Sequence, residues 1–288
     1  MEETNHKGIY KIVNAILQTG IKGSGKVAYL FANIFLPKPK GELIIETIYG
    51  FKLKINPVQD KFIERSLYLT GTYESGTLDF IQNFLKEGDC FIDAGANIGL
   101  MSMLAAKKVG SIGKVIACEA NPNTKAILDF NCSINKLDSI KTYAVALASE
   151  KGKGKIYLNK TDNRGTASLI KSVESENSIE VELMRLDEIC KDVHHVNLLK
   201  VDVEGYELEV LKGFDTFLKR ADAPTLIVEC SNERSNFNSS TGDLFDYIKQ
   251  INDYKIYKLE KGKRLISKLV EVKTKDELPE HDNIFCLK

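Results

Sequence analysis

Residues 93–100 read DAGANIGL, with the apolar CFI before them at 90–92 and MSMLAA after them at 101–106. An aspartate and two glycines stand where a short, continuously apolar strand gives way to a helix. A strand apolar on consecutive residues is buried on both faces, as in a parallel sheet. In open α/β sheets the ligand crevice lies at the carboxyl ends of such strands. Gly95 lets a ligand approach the backbone, and Gly99 lets the helix begin in close packing. A dinucleotide turn needs G-x-G-x-x-G, so that a diphosphate can sit on the helix N-terminus. Here the order is Asp93-x-Gly95-x-x-x-Gly99, without the middle glycine. The carboxylate of Asp93 repels a diphosphate but can hold a cation, directly or through water. Asn97 adds an amide that both donates and accepts. The turn fits a zwitterion that carries an ammonium group.

The alternation of strand and helix continues along the chain. KVIACEA (114–120), IKTYAVAL (140–147), NLLKVDVEG (197–205) and TLIVECS (225–231) read as further strands, with helical spacing at 98–109, 123–135, 209–218 and 243–251. DYKIYKLE (253–260) and DNIFCLK (282–288) close the chain as two more strands, able to pair antiparallel at an edge. Right-handed crossovers then give an α/β, doubly wound, Rossmann-like sheet. The long interval between the third and fourth strands holds KIYLN (155–159) and IEVELMRL (179–186), which alternate apolar and polar side chains. That alternation predicts an inserted, half-exposed β-hairpin. Its loop, with Asn163 and Ser168, is placed to contact a substrate.

The 288 residues are 43% hydrophobic and 28% charged, with 40 basic against 40 acidic side chains. This is an ordinary globular composition, with no general electrostatic case for nucleic acid. The six cysteines are scattered, several in apolar runs, with no CxxC pair. A disulfide framework or zinc site is not expected, and a reducing, cytoplasmic setting is. The polar N-terminus is no secretory signal. VAYLFANIFL at 27–36 is about half a bilayer span. With IYKIVNAIL (9–17) it predicts two short helices joined by TGIKGSGK, which has the wrong spacing for a phosphate loop. PKPKG (37–41) breaks the pattern, giving an N-terminal helical extension over 1–45 and a main domain over 46–288. The apolar helices are compatible with a homodimer, or with weak membrane-surface association because their basic face is thin. No transmembrane segment is expected.

Glu119 ends the second strand, where a carboxylate can accept two hydrogen bonds from a ribose diol. Nicotinamide dinucleotide and S-adenosylmethionine sites share that feature, and the phosphate-unfriendly turn at Asp93 favours S-adenosylmethionine. The sequence then resembles the FkbM family of S-adenosylmethionine-dependent methyltransferases. The resemblance rests on FIDAGANIGLMSMLAA (91–106), EANP (119–122) and LLKVDVEGYELEVLKG (198–213). It extends upstream through YLTGTYESGTLDFIQNFLKEGD (68–89) and onward through YAVALASEKG, RLDEI and LIVECS to NIFCLK. It implies the seven-stranded class I methyltransferase sheet with its last strand inserted antiparallel. It also implies that Asp93, Gly95, Ala96, Asn97 and Gly99 line the methionine part of the cofactor. Glu119 would hold the ribose, Asn121 would lie beside the adenosine, and Ala144 and Val145 would flank the adenine. Tyr73 and Glu74 would lie near the cofactor. The implied acceptor is a hydroxyl oxygen of a sugar, glycan or secondary metabolite.

KVDVEG (200–205) is the expected seat of chemistry. Methyl transfer is an in-line displacement, so the protein must align the partners, keep the site dry and often supply a base. Asp202 and Glu204, two apart, share a face if the strand continues. Asp202 is then expected in the crevice, with Glu204 as base or orienter. Alternatively Glu204 caps a helix beginning near Gly205. Lys200 can pair with either carboxylate. Asp202 and Glu229 resemble the beginnings of an oxygen-ligand Mg²⁺ site, but without a third ligand no metal ligands are assigned. His194 and His195 lie at the opposite end of the fourth strand and read as surface residues. Two other classes stay open: a catalytically inactive S-adenosylmethionine-binding scaffold, and a nicotinamide-dependent oxidoreductase, which the Asp93 turn disfavours.

Overall fold

The computed structural model describes residues 2–159, 167–170, 175–232 and 240–288. The chain opens with β1 (Glu2–Thr4), α1 (Lys7–Gln18) and α2 (Ser24–Phe35), followed by β2 (Leu43–Glu46) and β3 (Lys52–Ile55). β1 pairs parallel and β3 antiparallel with β2, in a small sheet of their own. A division at residue 45 therefore falls inside β2. Ser24 and Lys26, read above as part of the loop, belong to α2. Two asparagines of α6 (Pro122–Asn135) cover the outer edge of β3. Asn131 Oδ1 accepts from Lys54 N at 2.7 Å, and Asn135 Oδ1 accepts from Lys52 N at 2.8 Å. Such capping satisfies backbone groups that would otherwise form an open sheet edge.

After α3 (Ile63–Thr70) and α4 (Ser75–Phe84) the main sheet begins with β4 (Cys90–Ala94), α5 (Leu100–Val109) and β5 (Lys114–Cys118). Next come α6 and β6 (Ile140–Tyr143), then β7 (Ala146–Leu147), β8 (Gly152–Asn159), β9 (Ser175–Met184) and α7 (Leu186–Ile189). β10 (Leu198–Val201), α8 (Glu207–Lys212), α9 (Asp215–Leu218), β11 (Thr225–Ser231) and α10 (Thr241–Ile251) follow. β12 (Lys255–Leu259), β13 (Leu269–Glu271) and β14 (His281–Leu287) complete the chain. The sheet order is β13-β12-β14-β11-β10-β4-β5-β6. It is the expected Rossmann-like methyltransferase sheet of seven strands, with β13 added at one edge. β14 runs antiparallel to both β11 and β12 and lies between them, so these last strands do not merely pair at an edge.

Strand residues alternate between two cores. Phe91, Leu198, Ile227 and Phe285 pack on one face, in a cluster that includes Tyr10 and Val13 of α1. Ile92, Leu199, Val228 and Ile284 pack on the other, with Leu211, Phe214, Leu218 and Ile248. Burial on both faces explains why these strands read as continuous apolar runs. It also places the N-terminal helices on the same core as the sheet. All six cysteines are free thiols, five of them buried. Among the described residues, no helix is long and apolar enough to cross a membrane.

The predicted third strand divides. β6 stays in the main sheet, while β7 leaves it to pair with β9, whose antiparallel partner is β8. The β8–β9 pair is the inserted hairpin, with Ile156, Val181 and Leu183 turned to a small core of their own. The helix expected over 209–218 is interrupted at Gly213, between α8 and α9.

Candidate active site

β4, β5 and β10 end together. Asp93 of β4 and Lys200 of β10 are register partners, and both are buried. Ser102 Oγ of α5 donates to Asp93 Oδ2 at 2.6 Å, while Asp93 Oδ1 is buried with no hydrogen-bond partner among the described residues. A buried carboxylate oxygen left unpartnered is unfavourable. Burial raises the Asp93 carboxyl pKa, with Lys200 and the Ser102 hydroxyl pulling the other way. The oxygen is thus prepared for a donor, above all a cationic one.

The turn after β4 is held from two sides. Gly95 N and Ala96 N donate to Cys118 O of β5 at 3.0 and 2.9 Å. On the β10 side, a Cβ added to Gly95 would lie 1.8 Å from the Asp202 carbonyl oxygen, at a φ of +84°. Only glycine satisfies both conditions. Glu119 then ties this turn to the next: its Oε2 accepts from Asn97 N and its Oε1 from Asn121 N, each at 2.9 Å. Burial lifts the Glu119 carboxyl to about 7 despite those two donors.

β10 stops at Val201, so Asp202 and Glu204 do not share the face of a continuing strand. Instead Glu204 takes a left-handed backbone, φ 62°, and its carbonyl accepts from Ser168 Oγ at 2.7 Å. The helix starts at Glu207 rather than near Gly205. The Glu207 carboxylate accepts from Val203 N and Gly205 N at 3.2 and 3.0 Å, and so fixes the loop. Burial lifts that carboxyl to about 7. Lys200 pairs with Asp202 at 2.9 Å. Burial alone would raise the Asp202 pKa, but Lys200 and Lys263 outweigh it and hold the carboxyl well below the usual range.

Lys263 was not legible as a site residue. Its ammonium lies 3.0 Å from Glu74 and 3.0 Å from Glu229, all three buried. Burial would lower its pKa, but Glu74, Glu229 and Asp202 drive it upward instead. Asn283 of β14 adds an amide, donating to Glu74 Oε2 at 3.2 Å and to Thr77 Oγ1 at 2.9 Å. Burial and the Asp202 charge push the Glu229 carboxyl upward. Positive charge beside Glu229 therefore comes from a lysine, and no cluster of metal-ligating side chains occurs among the described residues.

These groups surround a cleft bordered by Tyr73, Glu74, Asp93, Gly95, Ala96, Asn97, Glu119, Lys200, Asp202 and Glu204. An adjoining pocket shares Gly95, Glu119, Asp202 and Glu204, and adds Val145, Leu147, Ile156 and Leu169. Ala167, from the hairpin loop, borders both. Glu74, Asn97 and Glu204 are three of the four non-glycine residues with left-handed backbone among those described. Such conformations are unfavourable and gather where the surroundings fix a site.

Three predicted residues stay outside this border. Gly99 serves packing: a Cβ there would lie 2.5 Å from Leu128 Cδ1 and 2.8 Å from Met103 Cε. Asn121 caps α6, its Oδ1 accepting from Asn123 N at 3.1 Å. Ala144 is exposed in the link between β6 and β7. His195 is on the surface, 3.0 Å from Asp222, and Asn163 lies outside the described residues.

A profile of the methyltransferase FkbM domain matches residues 93–259, more than half of the chain. The chain belongs to the FkbM methyltransferase family. Among curated relatives, "Methyltransferase sdnD" of Sordaria araneosa is 28% identical over 56% of this chain and 71% of its own length. "Hexuronic acid methyltransferase AglP" of Haloferax volcanii is 32% identical over 50% of this chain and 59% of its own length. A solved FkbM methyltransferase from Methylobacillus flagellatus is 14% identical with a TM-score of 0.44. That match covers 77% of this chain and 52% of the solved chain, so this chain spans about half of its length. The FkbM match takes in Asp93, Glu119, Asp202, Glu204 and Glu229, and leaves Glu74, Lys263 and Asn283 beyond its limits.

Proposed function

We propose that this FkbM methyltransferase transfers the methyl group of S-adenosylmethionine to a hydroxyl oxygen of a sugar, glycan or secondary metabolite. One observation carries the cofactor reading: among the described residues five carboxylates, Glu74, Asp93, Glu119, Asp202 and Glu204, border the cleft, against Lys200 at its border and Lys263 beside Glu74. Such a wall repels a diphosphate and attracts the ammonium and sulfonium of an amino-acid nucleoside. The unpartnered Asp93 Oδ1 suits the ammonium. Each Glu119 oxygen holds one backbone donor and keeps a lone pair for a ribose diol. Val145, Leu147, Ile156 and Leu169 offer apolar walls to the adenine.

Bound S-adenosylmethionine supplies the methyl group on a sulfonium that is already a good leaving group. The chain supplies alignment, water exclusion and proton removal. Asp202, kept ionised by Lys200 and Lys263, is a weak base and is suited to orient the acceptor. Glu204, on the turn between β10 and α8 that borders both pockets, is the base that takes the hydroxyl proton. A sugar acceptor agrees with the name of the hexuronic acid relative.

Isothermal titration tests the cofactor reading. S-adenosylmethionine should bind and NAD should not, and Asp93→Asn should weaken binding by on the order of tenfold through loss of a charge-assisted contact. Binding of NAD with exclusion of S-adenosylmethionine overturns it. An acceptor panel then tests the chemistry. A base-stable ether product supports hydroxyl transfer, whereas a base-labile ester would move the acceptor to a carboxylate. Cofactor binding with no transfer to any acceptor would point to a scaffold.

A further inference from the structure

α2 turns an apolar stripe away from the protein. Val27, Leu30 and Ile34 follow helical spacing on one face and are 58%, 63% and 66% exposed, while Ala28 and Ala32 behind them are fully buried. Ile21 before the helix and Phe35 at its end are exposed too. Single exposed apolar side chains are ordinary, but a run of them along one helix marks a surface that meets a partner.

The charge around this stripe is one-sided. Residues 5–41 contain six lysines, at 7, 11, 22, 26, 38 and 40, and no aspartate or glutamate. Lys7 is paired with Glu46. Lys22 and Lys26 stand at the start of α2, and Lys38 and Lys40 follow its end, all four exposed. The basic residues thus bracket the stripe lengthwise rather than forming an opposite helix face.

Two occupants suit an apolar stripe: a second copy of the chain, or a lipid surface. A two-fold dimer lays a patch against itself, which would bring lysine against lysine with no carboxylate in the segment to separate them. A bilayer bearing anionic headgroups accommodates both features. Its acyl boundary takes the apolar side chains, and its headgroups take the lysines. We infer that α2 and its flanking lysines dock the protein peripherally on an anionic lipid surface. With 12 residues, α2 lies along that surface and does not span it. The inference is independent of the acceptor.

The test uses the whole chain with vesicles of phosphatidylcholine alone, and of phosphatidylcholine mixed with phosphatidylserine. The chain should sediment with the mixed vesicles at low salt and be released as salt rises. The double variant Leu30→Glu/Ile34→Glu should partition at least about tenfold less, and so should Lys22→Gln/Lys26→Gln/Lys38→Gln/Lys40→Gln. Circular dichroism and S-adenosylmethionine titration should show both variants folded with an unchanged cleft. Absence of sedimentation overturns the inference, as does sedimentation that both variants retain. A dimer in gel filtration that Leu30→Glu/Ile34→Glu converts to monomer overturns it too, since a second copy would then cover the stripe.

Discussion

At the carboxyl ends of β4, β10 and β11 the chain buries Asp93, Lys200, Glu229 and Lys263, whereas on α2 it exposes Val27, Leu30 and Ile34. Each region reverses the ordinary partition of polar and apolar groups. In the crevice the reversal is stabilised from within, because Lys200 faces Asp202 and Lys263 faces Glu74 and Glu229. On α2 nothing among the described residues covers the exposed stripe. The contrast separates a site whose charges are largely compensated within the protein, with Asp93 Oδ1 left for a ligand, from a surface that becomes complete only against something else.

The strongest way to break this contrast is to remove the cation inside the crevice. Lys263→Met leaves Glu74 and Glu229 buried without their shared partner and should destabilise the fold by about 3–5 kcal/mol in urea titration. A loss no larger than that of a surface substitution would mean the charges are not mutually compensated. Next in size, Glu204→Gln should slow methyl transfer about a hundredfold, roughly 2.7 kcal/mol of barrier, with S-adenosylmethionine affinity kept. Unchanged turnover would remove Glu204 as base.

The dependence on pH sharpens the same picture. Burial raises the Glu119 carboxyl from 4.5 to about 7. The folded state then holds the proton more tightly than the unfolded chain, so this group's contribution is complete below about 4.5 and declines as pH rises to about 7. Glu119→Gln should flatten that decline, on the order of 2 kcal/mol, in urea titrations across the window. Parallel slopes for wild type and variant would show that the two backbone donors cancel the effect of burial. The smallest expected change is at the rim: Asn121→Ala removes the cap of α6 and should lower stability by about 1 kcal/mol while leaving cofactor affinity near its wild-type value. A large loss of affinity would return Asn121 to the cofactor contacts.

The sheet was readable because its strands are covered on both faces, so β4, β5 and β11 stand out as apolar runs ending in Asp93, Glu119 and Glu229. The cleft residues from one local motif were equally readable, since the turn after β4 carries its own requirement at Gly95. The end of β10 was not. A left-handed glutamate is imposed by its surroundings rather than by propensity, so the strand break before Glu204 leaves no mark in KVDVEG. Ser102 and Glu207 act through side-chain bonds that periodicity does not register. Lys263, in the turn after β12, and Asn283, in β14, reach Glu74 from far along the chain, and nothing near either residue distinguishes it from a surface lysine or a turn asparagine. Ala144 shows the converse case, where a strand read as continuous breaks between β6 and β7 and leaves the residue exposed.

The placement of β14 has a consequence for how the crevice is assembled. β12 meets the main sheet only through β14, and the segment bearing Lys263 leaves directly from β12. Asn283 in β14 itself bonds Glu74 across 209 residues of sequence. A pairing this remote costs more closure entropy than a local one, because the intervening chain must surrender its freedom. Glu74 and Glu229 obtain their counter-ion from the far end of the chain, so the crevice cannot be complete without the segment after β12 in place.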